Sequence, residues 1–530
     1  MNNALSWFTV RPIRWCWRFI WSRRMIWTVV CFASLLMLYY QWENWRGAKE
    51  LAVELQRLVA RIGTDNPVEL AQGPVSDARN YFSNPLIQSW AKPLALEYVP
   101  PSKGMNSDWE MKPGIPGSRA VLYTFPAQAI KPACVVDGEK LVQEGNGLSR
   151  LNLEEWVKDR ANAGEPIPAG KSPLQELTQS LGDANGLLAK LAVGLDRPYS
   201  RMIPSDRELA ELETRDPSVF QVNQVRDALD FMRYLDLHLR TAAMNGDADK
   251  VRIVTAIMLR IAEAMAGRRL MGSIMSMATH EVTFSALHEA LGYGVWTDAS
   301  LVELTRKLSA MDDLKLLERG LAEETLCVSH LMTYFRERNG SGFAQMLADR
   351  LHHHPSRPDL LLDLWARIPP RGWLDASHAF VIREMVFFMG PKSENSWLEG
   401  ARRSMQLKRD CATQWRTLRP LLGTAVVSNY GDIWGDAAWT LFHRRCVIAG
   451  CALERYRLRT GGYPTSLDKA KAELSTLKVS DPARPDQSLC YRRDADGYSL
   501  WSVGPDQKDD GGSAEFDWLW RIKHVASPKP

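Results

Sequence analysis

The stretch that most restricts this chain is Met25 to Trp42, MIWTVVCFASLLMLYYQW, which holds no charged residue. An uncharged run of this length approaches the roughly 20 apolar residues that cross a bilayer. Trp21 and Trp27 stand at one end, and Tyr39, Tyr40 and Trp42 at the other. Aromatic side chains favour both membrane–water interfaces, so the ends match the run. The bulky Tyr39-Tyr40-Gln41-Trp42 offers no small-x-small cleavage site. The run therefore reads as an uncleaved anchor and not as a signal peptide.

Charge sets the expected orientation. Arg11, Arg14, Arg18, Arg23 and Arg24 precede the run with no acid and no lysine, whereas Glu43, Arg46, Lys49 and Glu50 follow it in balance. Positive residues stay on the cytoplasmic side. This predicts a single-pass protein of the inner (cytoplasmic) membrane, its N-terminus cytoplasmic and its body periplasmic. The first 24 residues carry +5 and the whole chain +4, which leaves residues 25–530 at −1. Such a body makes no electrostatic case for nucleic acid.

Beyond the anchor, Leu51, Leu55, Leu58, Val59 and Ile62 mark one apolar stripe of a membrane-proximal helix. From Gly63 to Asp216 the periodicity weakens and Pro and Gly recur, which predicts a loosely organised adaptor with a strand near Ala120–Phe125. Gly170-Lys171-Ser172 lacks the earlier glycine of a phosphate loop, since Glu165 stands there, so no nucleotide is expected. Helical periodicity dominates from about Val219 to Phe388, within a helical domain set at 217–435, with helices predicted over 222–239, 248–266, 270–291, 300–311, 312–338, 373–389 and 397–422, and with Asp298 or Ser300 as a cap. The expected fold is mainly α: an N-terminal transmembrane helix, a bundle or solenoid-like helical body, and a small C-terminal α+β domain with a β-hairpin. The corresponding segments are 1–24, 25–42, 43–62, 63–216, 217–435 and 436–530. Cys134, Cys327, Cys411, Cys446, Cys451 and Cys490 scatter through the body without a disulfide-like spacing.

The terminal segment has its own pattern. A helix through Leu453-Glu454-Arg455-Tyr456-Arg457 breaks at Gly461-Gly462-Tyr463-Pro464. Leu489–Arg493 and Tyr498–Val503 flank Asp494-Ala495-Asp496-Gly497 as a hairpin. An acidic, glycine-rich loop follows, from Gly504 to Gly512. With Gly462-Tyr463-Pro464-Thr465-Ser466, Trp501-Ser502-Val503-Gly504-Pro505-Asp506, Gly511-Gly512 and Asp517, this last seventh of the chain resembles the C-terminal domain of the type II secretion major pseudopilins. The resemblance implies a calcium-holding loop and work beside a secretion or pilus-type assembly. The prepilin cleavage box of that family is missing before the apolar helix.

Spacing also bears on calcium. Counting Asp506 as position one puts Asp510 at five, Gly511 at six and Asp517 at twelve, the order of a calcium loop, although Lys508 occupies an oxygen-ligand position. Asp506, Asp509, Asp510 and Asp517 are the candidate ligands. Elsewhere no Gly-x-Ser-x-Gly elbow, CxxC pair or HExxH helix occurs, and His352-His353-His354 read as helix-end residues. Met271, Met275 and Met277 read as core filling. The favoured expectation is a non-catalytic envelope scaffold with protein partners. The alternative is a periplasmic enzyme using His280, Glu281, His288 and Glu289, which demands that these side chains converge.

Overall fold

A computed structural model describes residues 23–65, 75–95, 119–123, 142–144, 148–201 and 223–337 with short gaps, then 370–389, 433–470 and 479–525, besides isolated positions at 70 and between 399 and 409. His352–His354 and most of the helix expected over 397–422 lie outside the described residues. The architecture is mainly helical, with small antiparallel sheets. The chain forms two compact units.

The first unit comprises residues 1–63, 329–386 and 409–429. Its first described element, α1 (Arg23–Ile62), is a single 40-residue helix, about 60 Å long at the α-helical rise. It is long and apolar enough to cross a membrane. Its two halves differ. Ile26, Trp27, Val29, Val30, Phe32 and Leu35 to Tyr39 are exposed all round. In the second half the buried positions are Glu43, Gly47, Leu51, Glu54 and Leu58, a helical stripe that sorts one face inward. Leu55, Val59 and Ile62, expected on that stripe, are not among them. The stripe is tightest where Gly47 meets Gly372 on a helix spanning Arg371–Phe388, and the Gly372 N–H donates to Asn44 Oδ1 at 2.8 Å.

The second unit holds residues 64–328, 387–408 and 430–530. The composition boundaries at 216 and 435 both fall inside it. Its helices α2 (Asn223–Met244), α3 (Ala248–Met265) and α4 (Arg269–Gly292) pack on one another, and α4 and α5 (Asp298–Ser309) pack on α6 (Ile433–Thr460). Asp247 caps α3 by accepting the Lys250 N–H. Thr297, not Asp298 or Ser300, is the N-cap of α5: its hydroxyl takes the Ser300 N–H while the Ser300 hydroxyl takes the Thr297 N–H. One continuous apolar core runs from Tyr81, Phe82, Trp156 and Leu191 through α2 to α6 and on to Tyr498, Leu500, Trp520 and Ile522. The Pro- and Gly-rich region thus shares the core of the helices. Its expected strand occupies Arg119–Tyr123 and pairs with Ala91–Ala95.

After α6 the chain turns at Gly461, whose φ of 83° suits glycine. The expected hairpin is present as β1 (Cys490–Arg493) and β2 (Gly497–Ser502), with the Asp494 N–H closing the turn on the Gly497 carbonyl. A third strand, β3 (Trp518–Lys523), pairs antiparallel with β2, which is buried along its whole length. A further hairpin joins Ser480–Asp481 to Arg484–Ser488.

Gly372→Ala should destabilise the first unit by ~1–3 kcal/mol, the usual cost of overpacking, because its Cβ would lie 1.9 Å from the Glu43 carbonyl oxygen. Gly462→Ala meets nothing within 4 Å and is expected to be silent. Thermal melts of the two variants check this contrast.

Candidate functional site

Among the described residues of the second unit, buried polar side chains gather on α4, which packs against α2, α6 and β3. Arg240 of α2 is almost fully buried, and its guanidinium pairs with Asp236 one turn earlier (2.8 Å) and with Glu289 of α4. Its third nitrogen donates to Ser285 Oγ at 3.1 Å. Glu289 also accepts the Leu151 N–H at 3.2 Å. One carboxylate therefore joins α2, α4 and the adaptor backbone. A buried charge persists only when paired and hydrogen-bonded, and Arg240 supplies the fork that meets both carboxylates. Burial raises the Asp236 carboxyl above its ordinary range against the pull of Arg240. Burial also pushes the Tyr293 phenol, whose hydroxyl reaches Glu289, up to about 12.

About two turns from Glu289 on α4, Glu281 accepts from His443 Nδ1 of α6 at 2.5 Å. His288 Nε2 meets the Arg521 carbonyl of β3 at 2.7 Å, which places the ring proton on that nitrogen. Burial pushes His288 down to about 3, so it stays neutral. Aromatic rings wall this region: Trp520 stands nearly perpendicular to His288, and Trp439 nearly perpendicular to Trp518. His280 points elsewhere, stacked on Phe284 and beside Ser276. The four candidate catalytic residues thus engage four different sets of partners. Arg240, Asp236 and His443 are the members sequence reading missed. A charged pair at i, i+4 inside an apolar helix, Asp236 and Arg240, is the signal that would have found two of them.

The acidic loop is the other candidate site. Buried Asp517 accepts the N–H groups of Asp510 (3.1 Å), Gly512 (2.8 Å) and Ser513 (3.2 Å) on one oxygen. Asp509 takes Trp501 Nε1 at 2.9 Å and the Gly511 N–H at 3.0 Å, and the indole hydrogen bond holds its carboxyl below the usual range. Asp506 accepts the Lys508 N–H at 3.1 Å, and Asp510 is exposed. These carboxylates organise their own loop and do not converge on a common point; among the described residues no group of three or more His, Cys, Asp or Glu is placed to hold a metal. In this arrangement they do not fit a calcium ion, which asks for six to eight oxygens around one centre. Ser172 caps the nine-residue helix Pro173–Leu181 and Lys171 pairs with Glu176, so the Gly-Lys-Ser triplet is occupied by local structure.

Comparison with known proteins yields no relative: no family model, curated protein or solved structure matches the chain.

Three outcomes are expected. Arg240→Met strands two buried carboxylates and should cost ~3–5 kcal/mol, whereas Glu303→Gln, which removes a half-exposed pair with Lys307, should stay within ~0.5 kcal/mol; chemical denaturation separates them. The neutral state of His288 gives stability that is full above pH ~6.5, where the unfolded histidine is also neutral, and that is lost as pH falls toward 3. His288→Asn should flatten the pH dependence of the melting temperature between those limits. The melting temperature should be the same in millimolar calcium and in chelator, and a calcium-dependent rise would reinstate the metal.

Proposed function

We propose that this chain is a single-pass protein of the inner membrane that works as a non-catalytic envelope scaffold. In this reading the basic N-terminus faces the cytoplasm, residues 25–42 cross the bilayer, and the body occupies the periplasm. The observation that carries the reading is the uncovered apolar half of α1. Exposed on every side, such a helix is stable in lipid and not in water. At its outer end Arg46 lies over Trp42 and Lys49 over Trp45, each about 5.3 Å from the ring centroid. Cation–aromatic pairs of this kind suit the polar interface.

The terminal segment supports the docking half of the proposal. The chain reaches its three-stranded sheet from a long helix, through a glycine turn, and the sheet presents an exposed acidic loop at Pro505–Gly511. That order, with the Tyr463-Pro464 and Asp-Gly-Gly residues, is the basis for placing it beside a secretion or pilus-type assembly as a pseudopilin-like docking module. The loop is held by its own hydrogen bonds, so a partner would meet a preorganised surface. The separate partners of His280, Glu281, His288 and Glu289 favour a structural role for them over a catalytic one.

C-terminal fusions test the topology. Alkaline phosphatase joined after Pro530 should be active and a cytoplasmic fluorescent reporter dark; the reverse pattern would place the body inside. Crosslinking in native membranes should capture envelope proteins, and repeated recovery of the lone chain would count against a scaffold.

A further inference from the structure

Where α4, α6 and β3 meet, three buried rings each carry one nitrogen with no hydrogen-bond partner among the described residues: His288 Nδ1, His443 Nε2 and Trp520 Nε1. The residues are 2%, 1% and 0% exposed, so bulk solvent does not reach them. They belong together. The Trp520 indole lies 4.7 Å from the His288 ring and 5.6 Å from the His443 ring, centroid to centroid. Buried polar atoms are almost always paired, and each exception needs a physical reason.

The partners already made settle what each nitrogen offers. His288 donates its Nε2 hydrogen to the Arg521 carbonyl, which leaves Nδ1 of the neutral ring with a lone pair. His443 turns Nδ1 toward the Glu281 carboxylate, which places a ring proton on Nδ1, and in that tautomer Nε2 offers a lone pair. The indole nitrogen only donates. The trio presents two acceptors and one donor. Its complement has two hydrogens to give and one lone pair to receive with, which describes a water molecule. A bare cation satisfies neither the indole N–H nor the requirement for donors, and an anion repels both imidazole lone pairs.

We propose that one internal water molecule bridges His288 Nδ1, His443 Nε2 and Trp520 Nε1, and fastens the terminal sheet to α4 and α6. Three hydrogen bonds are the usual complement of a buried water. The bridge continues outward through His443 to Glu281, which is half-buried, and inward through His288 to the β3 backbone. It is a joint between the helical body and the sheet, independent of the scaffold reading.

The test is an experimental structure of the full chain in detergent, at a resolution that shows ordered water, with data collected for anomalous scattering. The expected result is a single oxygen peak within hydrogen-bond distance of all three nitrogens and no anomalous signal. A region without a peak, a peak that reaches only one nitrogen, an anomalous metal peak, or direct bonding of these nitrogens to protein groups would each overturn the proposal.

Discussion

The first half of α1 presents apolar side chains in every direction, and among the described residues they stand exposed. Roughly 25 cal/mol per Å² of apolar surface favours removing each from water. Over more than ten large side chains this exceeds what a domain's marginal stability tolerates. The same helix must also continue, unbroken, into protein. Its second half does so by burying a stripe from Glu43 to Leu58, with the glycine pair Gly47 and Gly372 allowing two backbones to touch. A single helix therefore changes its surroundings midway, and residues 43–62 attach the first unit to whatever holds residues 25–42.

The second unit depends on a different constraint. Its core is shared by an adaptor poor in regular structure, a set of helices and a small sheet. Such pieces hold one register when specific polar contacts select it. Glu289 is the clearest case, since it is bonded at once to Arg240 of α2 and to the Leu151 backbone. Buried ion pairs contribute little net stability compared with apolar packing, but breaking them is costly. The network therefore argues for a fixed docking of the adaptor more than for strength. His288 plays the matching part toward the sheet through the Arg521 carbonyl.

Local signals in the sequence led to local structure. The apolar period of α2 through α5, the Asn245-Gly246-Asp247 stop and the Asp494–Gly497 turn all produce the elements expected of them. The cap of α5 was misplaced by one residue or more because Thr297, Asp298 and Ser300 are all competent caps, and only backbone geometry chooses Thr297. Strand β3 escaped notice because a two-residue alternation, Trp518, Trp520, Ile522, follows directly on an acidic loop. The loop's spacing resembled a cation site, yet the carboxylates turn to their own N–H groups, a choice spacing does not encode. Asp236 and Arg240 are legible as an i, i+4 charged pair, but the tie of Arg240 to Glu289 and that of His443 to Glu281 span 49 and 162 residues, and pairing at that range is a product of the fold.

The central claim is that residues 25–42 cross the bilayer with lipid around them. It is tested most directly by placing a spin label at each position in turn, in the full chain reconstituted into liposomes, and measuring collision with oxygen and with a water-soluble nickel chelate. The account expects high oxygen and low chelate accessibility at every position from 26 to 38, without helical periodicity. A water-accessible face recurring every three to four residues would contradict it.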